Sequence, residues 1–311
     1  MSNASSLKFD PATIRLIAVF CALVVVAALI SPYFFTLGNL ANIARQAAAV
    51  AVVAVGMTFI IMTGGIDLSV GAIVALSSAV IAKFDGNLGL MLLVGLGTGT
   101  LAGAVNGVLV TIGGISPFIA TLAMLAVARG LALVVSDARP VLLNDPAFNN
   151  IGNGDVLGIP IIIVIPLVVF AAAYLFQNRA VLGRQIIAVG SNPEASRLSG
   201  VAVGLVLGFV YALSGLLAGL SAIIISARTS TGSPIHGQNY ELDAIAAVVI
   251  GGTRLSGGRG SVFGTLIGVL IIGIITNILN LLNVSPNLQG VVKGGIIAAA
   301  VLLQRIGERR A

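Results

Sequence analysis

The sequence predicts an all-α polytopic membrane protein: about ten transmembrane helices in a single domain over residues 1–311, with both termini cytoplasmic. Three observations predict it. Hydrophobic residues make up 58% of the 311 residues and charged residues only 8%, where a soluble domain carries about 25% charged. The mean hydropathy of +1.13 leaves more apolar surface than a water-soluble core could hide. Apolar runs near the roughly 20 residues that cross a bilayer recur along the whole chain. The net charge of +6 and a pI near 10.1 would also suit a nucleic-acid binder. The cations are scattered, however, and membrane topology explains them better, so no nucleic-acid partner is expected. Cys21 stands alone, which rules out an intrachain disulfide.

In chain order the predicted spans are 16–35, 44–63, 67–84, 88–112, 115–135, 159–177, 202–226, 242–252, 262–282 and 288–304. The first is apolar enough for a signal-peptide core. No small-x-small cleavage site opens into a soluble domain, so it is read as a retained span. The second and third are separated by Gly64–Gly65 and carry one carboxylate, Asp67. A carboxylate at mid-helix costs roughly 3 kcal/mol on insertion scales. The glycine pair therefore ends one helix and another begins after Asp67, with protein or a water-filled cavity covering the exposed backbone.

In the fourth span Gly95, Gly99, Gly103 and Gly107 recur every four residues and line one helix face. In lipid, small residues on a shared face let helix backbones approach closely. Gly260, Gly264 and Gly268 predict a second such face. The glycines of 95–103 follow no soluble strand and are not read as a nucleotide loop. The span 242–252 is too short to cross alone and is expected to be a tilted or half helix buried against neighbours.

Ten spans put both ends on one side. Placing them in the cytoplasm puts Lys8, Arg15, Arg179, Arg184, Arg197, Arg254, Arg259, Arg305, Arg309 and Arg310 inside, ten of the sixteen basic residues. Arg45, Lys83, Arg129, Arg139, Arg228 and Lys293 fall outside or within spans. Segments 136–160 and 227–243 become outer loops, rich in the Asn, Asp, Gly and Pro of turns. His236, the only histidine, is expected at the surface of the second, and one histidine makes no metal site. Glu241 and Asp243 either face a partner's basic patch or bias a helix N-terminus. Gly64–Gly71 is echoed at Gly251–Gly258, with five of eight positions shared. The echo is either an internal repeat of the kind transporters use or a chance match of glycine-rich segments.

The basic segment 178–201 carries its own helix signal. Asn192 is an N-cap residue, Pro193 suits the first helical position, Glu194 suits the positive end of the dipole and Gly200 stops the helix. Such a helix is either a solvated connector or an element that docks into a cleft of a cytoplasmic partner. Leu255–Arg259 reads LSGGR, like the signature of ATP-binding cassettes. The chain has no GxxxxGK[ST] loop and no soluble domain to hold one, so this is a glycine-rich turn.

TGGIDLSVG at 63–71 and AVGSNPEASRLSGV at 188–201 together resemble the inner-membrane permeases of bacterial ATP-binding-cassette sugar importers, of the ribose-type branch that includes xylose, galactoside and autoinducer permeases. The resemblance extends over nearly the whole chain, including ARGLALVV at 128–135 and VIGGTRLSGGRGSVFGTLIG at 249–268. It implies that Asn192, Pro193, Glu194, Ala195, Ser196, Arg197, Leu198, Ser199 and Gly200 form the coupling helix, seated in a groove of a cytoplasmic ATPase. Ser196 replaces the second Ala of the wider Glu-Ala-Ala-x3-Gly pattern, and the later Leu-Pro is absent. Both departures point to the larger, ten-span importer architecture.

The resemblance further implies a second permease subunit, a copy or a paralogue, two ATPase subunits, and a periplasmic sugar-binding protein on the outer loops. The chain itself is expected to be no enzyme and to hold no cofactor. It has no HExxH, no cysteine nucleophile in a polar setting and too few histidines for a metal. Within the pathway, Asp67 either lines the inner part or holds the helix break through backbone bonds. Arg45 and Gln46 either meet a polar solute or snorkel to the interface. Asn106, Asn277 and Asn280 either bond neighbouring helices or contact sugar hydroxyls. A low density of buried charge fits a neutral, polyhydroxylated solute. The alternative is a secondary transporter driven by protons or sodium. It needs a titratable residue at the midplane, and the one candidate, Asp67, is placed nearer the membrane edge.

Overall fold

A computed structural model describes residues 11–308. Lys8, Arg309 and Arg310 lie outside them. The helices are α1 (Pro11–Ile30), α2 (Leu37–Met62), α3 (Val70–Ala82), α4 (Leu88–Thr111), α5 (Pro117–Val135), α6 (Pro146–Asn153), α7 (Ile161–Arg179), α8 (Val181–Ser191), α9 (Pro193–Leu198), α10 (Val203–Thr229), α11 (Tyr240–Ile250), α12 (Val262–Leu281) and α13 (Pro286–Glu308). Each predicted span coincides with a helix. Six of these, α2, α4, α5, α7, α10 and α12, are long and apolar enough to cross a membrane. Neither α6 nor α8 is among the predicted elements.

Local sequence sets the helix ends. The Thr36 hydroxyl caps α2 by accepting from the Asn39 amide at 3.3 Å, and the Ser261 hydroxyl caps α12 by accepting from the Gly264 amide at 3.1 Å. At the far end of α2, Gly64 takes φ +81°, a left-handed conformation that ends the helix at the predicted place. Residues 63–69 are then irregular, so the third predicted span shrinks to the 13 residues of α3. At 1.5 Å per residue that is about 20 Å, short of the roughly 30 Å of hydrocarbon.

Around this break the bundle is layered by exposure. Every residue of α2 from Ala48 to Met62 is buried. Helices α7, α10, α11 and α12 pack around it and α3 packs on α4, α5 and α10, while α4, α5 and α7 turn most of their surface outward. The closest pairing is α4 with α10. A Cβ at Gly99 would run into the Gly215 carbonyl oxygen and lie 2.7 Å from the Gly219 amide, and one at Gly103 would strike the Tyr211 carbonyl. Gly107 faces Gly208, and Gly95 faces Ile81 and Ile223. The predicted glycine face is therefore the α4–α10 seam. The second face is shorter than predicted: Gly264 and Gly268 press on Gly251 and Ala247, while Gly260 belongs to the turn before α12.

The segment before α11 departs most from expectation. Predicted as a watery outer loop, it instead descends beside α3. Thr231–Gly232 pairs antiparallel with Val141–Leu142. Gly232 then lies against Ser78 and Ala82 near the end of α3, and Gly237 against Val74 and Gly71 near its start. The Ser233 amide donates to the Ser78 hydroxyl at 3.0 Å. His236, expected at the surface, is half-buried with Nδ1 2.9 Å from the same hydroxyl. Arg129 of α5 holds the descent by donating to the Pro234 carbonyl at 2.8 Å. Helix α11 continues toward the end where α2 stops, a buried half helix as its 11 residues require.

The other segment predicted to be an outer loop, 136–160, is held by Asp85, in the turn between α3 and α4. Its carboxylate accepts from the Asn144 amide at 2.9 Å and the Asp145 amide at 3.1 Å. Slight burial pushes this carboxyl up, but those donors, with the Asn144 side chain and the Gly86 amide, outweigh it and hold the pKa below the usual range. The folded form thus favours the carboxylate. Its contribution is present above about pH 4 and is lost as pH falls through the lowered pKa. Asp85→Asn should therefore speed amide exchange at residues 143–148 at pH 7, with little further change on acidification. Unaltered exchange in the variant would remove Asp85 as the tether.

Candidate functional site

The two ends of the bundle carry different chemistry. At the end where α2 begins, a cavity of about 670 Å³ opens between α2, α6, α10, α11, α12 and α13. Arg45, Gln46 and Asn280, predicted from the sequence, line it, together with Asn42, Asn153, Arg228, Tyr240, Asp243 and Lys293. Its polar groups are cross-linked. The Asn280 side-chain amide donates to Gln46 Oε1 at 3.3 Å, and its oxygen accepts from Gln289 Nε2 at 2.9 Å. Arg228 donates to the Arg45 carbonyl at 2.9 Å. Lys293 Nζ lies 2.9 Å from the Asp243 carboxylate, and this pair is mostly buried. A buried charge in a membrane helix needs such a partner.

Sequence reading missed Asp243 and Lys293 as cavity residues. Lys293 inside the apolar span 288–304 was the available signal, because an intramembrane cation implies a function or a partner. Asp243 is consequently not a surface group for a partner's basic patch, and Glu241 is also drawn inward, against Gly71. The cavity is also not poor in charge, since Arg45 and Arg228 add to the neutral Asp243–Lys293 pair.

The remaining candidates lie elsewhere. Asn277 exchanges two side-chain bonds with Asn39, at 2.8 and 3.2 Å, and ties α12 to α2. Asp67 is fully buried in the break between α2 and α3. Its Oδ1 accepts from the Ser69 amide at 3.0 Å and the Ser69 hydroxyl at 2.6 Å, and its Oδ2 from the Ser214 hydroxyl of α10 at 3.0 Å. Asn106 of α4 donates to the Ser69 hydroxyl at 2.9 Å. One carboxylate thus fixes the break, the start of α3 and two neighbouring helices. None of these three candidates reaches the cavity.

At the opposite end stands α9. Asn192 caps it by accepting from the Ala195 amide at 2.9 Å, Pro193 opens it, and Gly200 closes it at φ +83°. Ser196 faces inward and donates to the Asn192 carbonyl at 2.9 Å, while Glu194, Ala195, Arg197, Leu198, Ser199 and Gly200 are exposed. Glu194 and Arg197 pair at 2.8 Å on the surface. Leu198 is 82% exposed, an apolar side chain presented on a capped helix. Helix α8 carries α9 on a stem whose Gly183, Ile186 and Val189 are buried at helical spacing. Arg179 and Arg184 broke the apolar run and hid α8 from sequence reading.

A helical membrane bundle with a polar cavity at one end and an exposed, capped helix at the other defines a multi-pass permease of the inner membrane. The chain belongs to the family described as the branched-chain amino acid transport system / permease component, whose model matches residues 39–301. It is 45% identical over 293 residues to the ribose import permease protein of Haemophilus influenzae, covering 91% of each chain. It is 46% identical over 290 residues to that of Bacillus subtilis, covering 91% of this chain and 89% of the relative. It is 41% identical over 279 residues to the D-allose transport system permease protein of Escherichia coli, covering 88% and 85%. No solved structure matches the chain.

Proposed function

We propose that the chain is the permease subunit of an ATP-driven, binding-protein-dependent importer of a sugar, with no catalytic chemistry of its own. The observation that carries this is the pairing of a preformed, exposed α9 with a polar cavity at the far end of the same bundle. The relatives named for ribose and allose import support the sugar class. Arg45, Gln46 and Asn280 form the outer part of the pathway, where amide and guanidinium donors suit hydroxyl-rich solutes. Asp67, Asn106 and Asn277 are scaffold rather than pathway.

Six helices cross the membrane, α1 and α13 add two spans, and α3 and α11 add two half-length segments, giving ten embedded segments with both termini cytoplasmic. The subunit pairs with a second permease, two cytoplasmic ATPases engage the α9 helices, and a periplasmic sugar-binding protein docks on the outer loops. ATP binding shifts the bundle between two packed states that open to opposite sides.

The test is uptake of labelled ribose into proteoliposomes with binding protein and ATPase present. Uptake that needs ATP and survives an ionophore supports the importer. Uptake without the ATPase, collapsed by the ionophore, would favour an ion-coupled transporter. In the same assay Glu194→Lys should lower uptake by more than about tenfold, because a reversed charge in a docking surface meets like charge in its groove. The exposed Glu194–Arg197 pair adds little to folding, so the variant should still insert normally. Full transport by that variant would remove α9 from the coupling role.

A further inference from the structure

Three chain segments meet at the inner end of α2. The Gly258 amide donates to the Met62 carbonyl at 2.9 Å, joining the turn before α12 to the last residue of α2. Gly190, in the last turn of α8, fits between them. A Cβ there would run into the Met62 carbonyl oxygen and lie 2.7 Å from the Gly258 nitrogen, both rigid backbone atoms. Gly257 sits just as tightly, where a Cβ would lie 2.8 Å from both the Gly190 carbonyl and the Gly64 amide nitrogen.

The same turn is gripped from a second side. Gln177, buried near the end of α7, donates from Nε2 to the Gly260 carbonyl at 2.8 Å. Its Oε1 accepts from the Val262 amide at 2.9 Å. An amide is needed for this clamp, since it must donate and accept at once, which neither a carboxylate nor an apolar chain can do. Residues 177 and 190 flank the stem that carries α9, so both ends of that stem are fixed to one turn.

We propose that Gln177 and Gly190 are positioning residues of a mechanical relay: they make α8 and α9 move as one body with the turn 254–261, and so pass motion of α9 into the end of α2 and the Gly64–Ser69 break. Without the relay, α9 would swing on its stem while the bundle stayed still. This rests on the reading of α9 as the ATPase-coupling helix. The relay adds that the force is delivered at the two glycine turns that echo each other in sequence.

The test uses the full permease with its ATPase and binding protein in proteoliposomes. Gln177→Leu and, separately, Gly190→Ala should leave the ATPase bound while the ATP hydrolysed per solute delivered rises about tenfold, the equivalent of losing roughly one hydrogen bond of coupling. An unchanged ratio, or hydrolysis and transport falling in proportion, would overturn the relay. A second measurement avoids dependence on how those variants fold. Spin labels at Arg184→Cys on α8 and Ser256→Cys in the turn, with Cys21→Ser, should keep one separation with and without ATP when Gln177 is present. A separation that changes on ATP binding would also overturn the proposal. Failure of the coupling reading itself is distinguishable, because a Ser199→Cys cross-link to the ATPase would then not form.

Discussion

Replacing Gly99 by leucine should destabilise the protein by about 3 kcal/mol or more, at the upper end of overpacking costs. The reason is the kind of atom it meets. A Cβ at Gly99 collides with the Gly215 carbonyl and crowds Gly219, all backbone of α10. A flexible side chain could rotate away, but a helix backbone moves only as a whole. Leucine would pry α4 from α10 along a seam that also contains Gly103 and Gly107. Lipid offers no hydrophobic penalty for the parted faces, so nothing restores the contact. The expected result is a lower thermal midpoint in detergent and a broadened gel-filtration peak. Gly97→Leu is the control, because nothing lies within 4 Å of its added Cβ. Equal midpoints for the two variants would refute the seam.

Asp67→Ala should cost about 3 kcal/mol or more and lower the amount of folded protein in the membrane. It leaves the Ser69 amide and the hydroxyls of Ser69 and Ser214 without their acceptor, and each stranded buried group costs roughly 1–3 kcal/mol. Asp67→Asn should behave differently. Its amide oxygen still accepts from Ser69, and its nitrogen can donate to the Ser214 hydroxyl. That variant should retain most of its stability and ATP-driven uptake. The contrast separates two roles. A scaffold residue tolerates Asn, whereas a proton-coupling carboxylate does not, so loss of uptake in Asp67→Asn with normal folding would revive the ion-coupled alternative. Stability is read by thermal melting and uptake with labelled solute.

The sequence made some of this legible for identifiable reasons. Periodic features survived best: the Gly95–Gly107 spacing marks the α4–α10 seam, and Gly64–Gly65 marks the end of α2. The capped helix was also readable, because Asn192, Pro193 and Gly200 act on local backbone and need no tertiary context. What depended on long-range placement was hidden. Residues 230–239 have loop composition, and only the three-dimensional fit of Gly232 and Gly237 against α3 shows that they run inside the bundle. The polar candidates could be named but not sorted. Asn280 and Asn277 are one turn apart on α12, yet one lines the cavity and the other pairs with Asn39. The Asp243–Lys293 pair spans fifty residues of chain, and no local pattern joins its two halves.

The short lengths of α3 and α11 also bear on how the cell keeps its membrane charged. Neither helix insulates the full thickness of the bilayer. At 13 and 11 residues each is too short to cross alone, and their starting ends meet where Gly237 and Glu241 press on Gly71. On the topology proposed above, the electrical seal at that place is the packed contact of Gly71 with Gly237 and Glu241 rather than a continuous helix. Transport by such a protein requires the surrounding helices to shift, yet this seam must stay closed to ions throughout. The tightness of the Gly71–Gly237 contact is then as much a matter of preserving the ion gradient as of holding the fold together.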